Sequence, residues 1–324
     1  MPGVDHVAGR WRMRLRPTPV SAPISGAAAL TDPGVEVRPP VLARLSGLLY
    51  RVPLIDRTRE VWWQARWDGA VVALLVTFAA LLRVVNLGRG YWVDEGISIG
   101  IASHPVDQIP HLLRLDGSPP LFYLMLHYWI GAFGSTPVST HLLALIISLA
   151  VVPVAFWAGR DLFGRSAGIA AAGLSATSPF LNWYATETRM YALLCVLGMV
   201  AGTFTVRAVR HRTRGDAAVA VVCFTAMLYT HNWAVYLVGA TAGVLLVRAW
   251  RADDRPLLRA IMVCGAAIAA LYLPWLPSLL AQVGHTAAPW AVPPGIGDIF
   301  ADPASMLGGT VGVLVAPLLA YGIW

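Results

Sequence analysis

Residues Gly69 to Leu87 read GAVVALLVTFAALLRVVNL, a run in which Arg83 is the one charged residue. An α-helix of this length is about 28 Å long, close to the roughly 30 Å of hydrocarbon in a bilayer. The run lacks the polar stripe that a helix on the surface of a soluble protein carries. The stretch therefore predicts a helix that crosses a membrane.

The composition of the whole chain agrees with a membrane protein. Of its 324 residues, 57% are hydrophobic and 13% are charged, which is about half the charged share of an average soluble domain. All 24 basic residues are arginines, and they lie in short clusters between the apolar runs. That placement is typical of topology signals and argues against a nucleic-acid partner. The three cysteines fall in three separate apolar runs and have no disulfide or metal-ligand spacing.

The sequence predicts two segments. Residues 1–66 are rich in arginine and proline and lack a long apolar run, so we expect a cytoplasmic, largely disordered tail. Residues 67–324 are predicted to form an all-α, polytopic transmembrane bundle of about eight spans, with juxtamembrane helices on its outer face. The later spans are predicted at Ser139–Trp157, Ala167–Tyr184, Met190–Val206, Ala217–Tyr229, Ala234–Val247, Leu257–Leu280 and from Met306 onward. Because the last run is still apolar at Trp324, we expect an incomplete last span and a missing C-terminal part.

The arginines also predict the orientation of the chain. Ten of them precede the first span, which places the N-terminus in the cytoplasm and Asp94 outside the plasma membrane. The segment Pro119–Gly134 is apolar but short, and its aromatic residues and histidine are typical of a membrane interface. If this segment crossed the membrane, the Arg248–Arg259 cluster would face outward. We therefore predict that it lies on the outer surface.

With this orientation, charged and polar residues gather at the outer ends of helices. They are Asp94, Glu95, Asp116, Glu187, Arg189 and His231. Carboxylates, an arginine and a histidine at one membrane depth are what a reaction on a charged, lipid-linked substrate requires. Simpler roles stay open: Glu187 and Arg189, two residues apart, could only pair with each other, and His231 could be an ordinary interfacial histidine.

These residues belong to motifs that resemble those of the C-superfamily glycosyltransferases. The resemblance is greatest to bacterial relatives of the polyprenyl-phosphate-mannose protein mannosyltransferases and to the aminoarabinose transferases. It covers residues from about 69 to about 300, with Ser118 standing where many relatives have a histidine. The motifs are Asp94-Glu95, the Asp116–Tyr123 segment with its Pro119-Pro120 pair, the Gly159–Gly164 turn, Glu187-Thr188-Arg189-Met190-Tyr191-Ala192 and Tyr229-Thr230-His231.

The resemblance implies an enzyme that passes a sugar from a polyprenyl phosphate to an acceptor hydroxyl with inversion. Such a displacement needs one base, for which Asp94 is the candidate, with Glu95 beside it as a second catalytic residue. An arginine suits the phosphate because its guanidinium donates two charge-assisted hydrogen bonds. Arg189 is the first candidate for that role and Arg83 the second. The remaining candidates, expected to bind substrate, are Asp116, Glu187 and His231.

The sequence leaves several alternatives open. Mannose is the expected sugar, but a pentose such as arabinofuranose fits the same mechanism. The acceptor is a glycan, a lipid or a protein, and membrane lipid is the surrounding partner. The sequence does not establish a cofactor, and a divalent metal bound by Asp94 and Glu95 stays open. A transporter or flippase is the alternative of another class, but it places ionisable groups near the bilayer midplane.

Overall fold

The computed structural model describes residues 54–285, together with residues 295 and 297. In this range the chain forms twelve α-helices and one short 3-10 helix, without a strand. They are α1 (Leu54–Val84), α2 (Val93–Ala102), α3 (Ile109–Asp116), α4 (Leu121–Phe133), α5 (Pro137–Phe163), α6 (Arg165–Thr177), α7 (Pro179–Trp183), the 3-10 helix (Tyr184–Thr186), α8 (Tyr191–His211), α9 (Arg214–Leu228), α10 (Ala234–Arg251), α11 (Arg255–Tyr272) and α12 (Leu276–His285). The compact unit that contains nearly all of these helices begins at Thr58.

Five of the described helices are long and apolar enough to cross a membrane: Ala65–Val84 within α1, and α5, α8, α10 and α11. Large apolar side chains on them, such as Leu74, Val244 and Met262, are strongly exposed. Surfaces of this kind are stable in contact with lipid. The prediction of an all-helical fold is confirmed for this part of the chain, and its five long apolar helices support a membrane protein.

Some expectations differ from the structure, and others fall outside the described residues. Helix α1 begins at Leu54, inside the segment predicted to be a disordered tail, because no glycine or proline interrupts residues 54–68. The span predicted over Ala167–Tyr184 ends at Thr177, since Pro179 opens a new short helix. Helix α9 has 15 residues, about 22 Å, and is shorter than the hydrocarbon layer. Residues 1–53 and the run from Met306 lie outside the described residues.

Ion pairs join α1, α5 and α6 at one end of the bundle. Asp68, which is 2% exposed, accepts hydrogen bonds from Arg160 at 2.9 Å and Arg165 at 2.6 Å. Two further contacts, Arg207 with Asp161 and Arg212 with Asp254, bring the α8–α9 and α10–α11 loops to the same end. We call this the arginine-rich end, comprising residues 160–165, 207–216 and 248–259. The opposite end, which contains the predicted site residues, is called the carboxylate end.

Two hydrogen bonds show that the second half of α1 runs antiparallel to α5. Asp68, in the middle of α1, accepts a hydrogen bond from Arg160 near the end of α5, while Leu87, just after α1, accepts one from His141 in the first turns of α5. The chain therefore leaves α1 and enters α5 at the carboxylate end. Helices α2, α3 and α4 lie between these points, so the chain returns to the same end of the bundle, which supports the prediction that Pro119–Gly134 does not span the membrane.

The main hydrophobic core lies beside these short helices. Ile109, Leu113, Phe122 and Leu126 from α3 and α4 are almost fully buried, and they cluster with apolar residues of α2, α8 and α9. The amide of Leu121 also donates a hydrogen bond to the carbonyl of Tyr229 at 2.8 Å, which ties the start of α4 to the end of α9. These contacts hold the short helices against the spans that carry the site residues.

Candidate functional site

Glu95 lies at the centre of the carboxylate end and is fully buried. Its Oε1 atom accepts hydrogen bonds from Arg89 at 3.2 Å, His141 at 3.1 Å and the amide of Thr188 at 2.8 Å. Its Oε2 atom accepts one from the amide of Trp92 at 3.2 Å, at the start of α2. Burial alone raises the pKa of Glu95, but these donors outweigh burial and hold that pKa below its usual value. Glu95 is thus an ionised anchor for three segments, with its oxygens occupied by protein donors.

Asp94 is adjacent in sequence but lies in different surroundings. Its side chain is 40% exposed, and Oδ2 lies 3.8 Å from Nη2 of Arg189. Asp94 and Glu95 are both in the first turn of α2, where the helix dipole favours negative charge. Asp94 is therefore the carboxylate of the pair that a substrate can reach.

Arg189 is held by hydroxyl groups from two helices. Its Nη1 atom donates to the Ser98 hydroxyl at 3.1 Å and, over 3.5 Å, to the hydroxyl of Tyr123. The Tyr123 hydroxyl in turn donates to Asp116 at 3.4 Å. Burial and the charge of Asp116 raise the pKa of Tyr123, so that its hydroxyl stays neutral. This network connects three of the predicted site segments and leaves the Arg189 guanidinium beside Asp94.

Glu187 does not pair with Arg189, contrary to the simpler alternative for this motif. The ion-pair partner of Arg189 is Asp94, and that of Arg89 is Glu95. Glu187 is 4% exposed, and its buried Oε2 atom has no hydrogen-bond partner in the described part of the chain. Burial raises its pKa to about 7, further than the charges of Arg89 and Arg189 lower it. A carboxyl group in this state exchanges a proton near neutral pH.

His231 lies at the edge of the same cluster, within a row of aromatic rings. Its ring centroid is 6.2 Å from that of Tyr191 and 6.1 Å from that of Trp233. The Nδ1 atom accepts a hydrogen bond from the amide of Trp233 at 3.1 Å. Burial first, and the charge of Arg189 second, lower the pKa of His231. A neutral imidazole at this edge can accept or donate a hydrogen bond to a ligand.

Arg83 lies apart from the cluster. Its guanidinium is 1% exposed and donates to Asn182 at 2.8 Å, to the hydroxyl of Ser148 at 2.8 Å and to the carbonyl of Ser175 at 3.0 Å. All three guanidinium nitrogens therefore have protein acceptors, which join α1 to α5, α6 and α7. In this arrangement Arg83 is a cross-link between helices, and of the two arginines predicted for a phosphate only Arg189 lies in the cluster.

The sequence interpretation missed His141, which supports the site from α5. Its Nδ1 faces the carbonyl oxygen of Leu87 at 2.8 Å and its Nε2 faces Oε1 of Glu95 at 3.1 Å. Because both neighbours are acceptors, both bonds form only when the ring carries both protons. The available signal was a histidine inside an apolar run, close to its start. Tyr123 and Ser98 were missed as well, since their contacts depend on how the short helices pack.

The cluster combines one exposed carboxylate, one partly buried guanidinium and one buried carboxyl group of raised pKa. The exposed carboxylate suits proton abstraction, and the guanidinium suits an anionic ligand such as a phosphate. Within the described residues, no group of three or more histidine, cysteine, aspartate or glutamate side chains is arranged to hold a metal ion. Comparison of the chain with protein-family models and with curated proteins finds no match.

Proposed function

We propose that this chain transfers a sugar, with mannose the expected one, from a polyprenyl phosphate to an acceptor hydroxyl at the carboxylate end of the bundle. The proposal includes the C-superfamily glycosyltransferase architecture and an active site outside the plasma membrane. The arginine-rich end supports that orientation, because arginine clusters mark cytoplasmic loops.

One observation carries the proposal. The exposed carboxylate of Asp94, in the first turn of α2, lies 3.8 Å from the guanidinium of Arg189, just before α8, a helix long enough to cross a membrane. A lipid-linked donor presents its phosphate at this depth, where its hydrocarbon chain enters the bilayer. The phosphate competes with Asp94 for the guanidinium of Arg189. Its arrival therefore leaves Asp94 free to act on the acceptor.

The proposed step is a direct displacement. The acceptor oxygen forms a bond to the anomeric carbon of the sugar while Asp94 takes the acceptor proton. The bond from the anomeric carbon to the phosphate oxygen breaks, and its electron pair leaves with the polyprenyl phosphate. Arg189 stabilises that charge through two hydrogen bonds. Two further residues border the space around Arg189 and are proposed to bind substrate. They are Asp116, which is linked to Arg189 through Tyr123, and His231.

Donor binding by Arg189 variants tests this assignment. We expect Arg189→Lys to lose part of the affinity for a polyprenyl-phosphate sugar, since lysine keeps the charge but loses the two-pronged geometry. Arg189→Ala is expected to lose most of it, roughly 10- to 100-fold for a charge-assisted hydrogen bond. The measurement is binding of labelled polyprenyl-phosphate mannose and arabinofuranose to the purified full chain.

Arg114→Ala is the matched control, because Arg114 is an exposed arginine of α3 at the same end of the bundle. It should bind the donor as the wild type does. Unchanged donor affinity in Arg189→Ala, or an equal loss in Arg114→Ala, would remove Arg189 from the phosphate site. Preference for the arabinofuranose donor would replace mannose by a pentose.

A further inference from the structure

A cavity of about 450 Å³ lies away from the carboxylate end, among α8, α9, α10 and α11. Its volume is within the usual range of sites for small ligands. Small residues on all four helices create the space, and a Cβ atom added at Gly265 would meet open space. They include Ala208, Ala217, Ala220, Ala242, Ala260 and Gly265. The other lining residues are mostly aliphatic, together with Phe224, Cys264, a few threonines and two arginines at the mouth.

The cavity has the depth of one membrane leaflet. Its lining on α11 extends from Pro256, at the arginine-rich end, to Ile268. Twelve residues of α-helix cover about 18 Å, and half of the hydrocarbon layer is about 15 Å. The cavity therefore extends from the level of the loops to about the middle of the bilayer, which matches one lipid chain.

The mouth of the cavity is basic. Arg212, Thr213 and Arg214 line it there, and the N-terminal ends of α9 and α11 lie beside them. Residues 207–216, which contain these lining residues, have four arginines and one aspartate. Arg212 is paired with Asp254, whereas exposed Arg214 has no ion-pair partner among the described residues. The excess positive charge and the two helix dipoles favour an anion at this position.

We propose that this cavity binds an anionic phospholipid from the leaflet at the arginine-rich end. One hydrocarbon chain occupies the apolar cavity, and the phosphate of the headgroup lies between Arg214 and Arg212. The combination of an apolar channel one leaflet deep with a cationic mouth selects this amphiphile over a peptide or a free anion. This site is separate from the proposed transfer site and does not depend on it.

Lipid retention by the purified full chain tests the proposal. The chain is reconstituted in equal amounts of phosphatidylglycerol and phosphatidylcholine, extracted in a mild detergent, and its retained lipid is quantified by mass spectrometry. We expect phosphatidylglycerol to be retained in preference to phosphatidylcholine. Arg214→Gln should lower that preference about fivefold, the effect of one arginine near a membrane surface. Ala260→Phe fills the cavity and should abolish retention.

Two variants outside the cavity are the controls. Arg259→Gln removes an arginine of α11 at the same end, and Ala240→Phe adds a ring on an exposed position of α10. Both should retain phosphatidylglycerol as the wild type does. Equal retention of the two lipids by the wild type would overturn the proposal. So would control variants that lose as much phosphatidylglycerol retention as Arg214→Gln and Ala260→Phe do. If Ala260→Phe does not fold, the exposed position of Arg214 still allows the comparison of Arg214→Gln with Arg259→Gln to decide.

Discussion

Glu187 shows how one residue couples the site to pH. Its pKa of about 7 in the folded chain exceeds the ordinary value of 4.5 because the side chain is buried. Between these two values the folded state holds a proton that the unfolded state has released. Stability must therefore fall as pH rises through this window, by at most about 3 kcal/mol. We expect Glu187→Gln to remove this pH dependence of stability. The unfolding temperature of the variant should therefore rise relative to that of the wild type between pH 5 and pH 8.

Glu95→Gln is the matched comparison, with the opposite sign. The pKa of Glu95 is lowered by its hydrogen-bond donors, so its contribution is present above pH 4.5 and is lost only as pH falls further. This variant should be less stable than the wild type throughout pH 5 to 8, since it leaves buried donors without an anionic partner. Parallel unfolding profiles of Glu187→Gln and the wild type would show that Glu187 does not hold the proton.

The sequence predicted that Asp94, Glu95 and Arg189 lie near one another, but not which groups each side chain contacts there. Asp94 and Glu95 are neighbours with the same functional group, and their different exposure results from contacts with His141 and Thr188. Those contacts join positions 46 and 93 residues away from Glu95, beyond the reach of local patterns. The placement of Arg83 against Ser148 and Asn182 likewise depends on helix packing.

At the scale of elements, the α5–α6 hairpin depends on two glycines. A Cβ atom on Gly168 would lie 2.7 Å from the carbonyl oxygen of Phe156, and one on Gly159 would lie 2.9 Å from that of Ala167. These neighbours are backbone atoms and cannot rotate away. We expect Gly168→Ala to force the helices apart and to destabilise the chain by about 1–3 kcal/mol, measured as a lower unfolding temperature in detergent.

Gly173→Ala on the same helix is the control, because a Cβ atom there has no neighbour within 4 Å. This substitution should leave the free energy of unfolding unchanged or raise it by up to about 1 kcal/mol, because alanine has the higher helix propensity. An equal effect of the two substitutions would contradict close packing at Gly168.

The sequence predicted whole helices better than their ends. Five predicted spans correspond to long apolar helices, since length and hydropathy are local properties. The break at Ser178 and Pro179 was missed because the run stays apolar through it. The early start of α1 at Leu54 was missed because arginines and tryptophans there resemble a surface segment, although they are compatible with a helix.

At the scale of the whole molecule, the chain leaves α1 and enters α5 at the same end of the bundle, so we expect that α4 does not carry it across the membrane. Single cysteines at Ser118, before α4, and Ser135, after it, should therefore react with an impermeant thiol reagent from the same side. A cysteine at Ser166 in α6, at the arginine-rich end, should react from the other side. The background lacks Cys195, Cys223 and Cys264. Under the proposed orientation, Ser118 and Ser135 label from outside in intact cells. Labelling of Ser118 and Ser135 from opposite sides would contradict this topology.

Sugar transfer by the purified full chain in lipid vesicles tests the proposed activity most directly. The donors are radiolabelled polyprenyl-phosphate sugars, and the readout is label released from the lipid onto an acceptor. Asp94→Asn keeps the size of the side chain but cannot take the acceptor proton, so transfer should fall by roughly 10²–10⁴-fold while donor binding persists. Transfer within a few-fold of the wild type in Asp94→Asn, or no transfer by the wild type from any donor, would contradict the proposal.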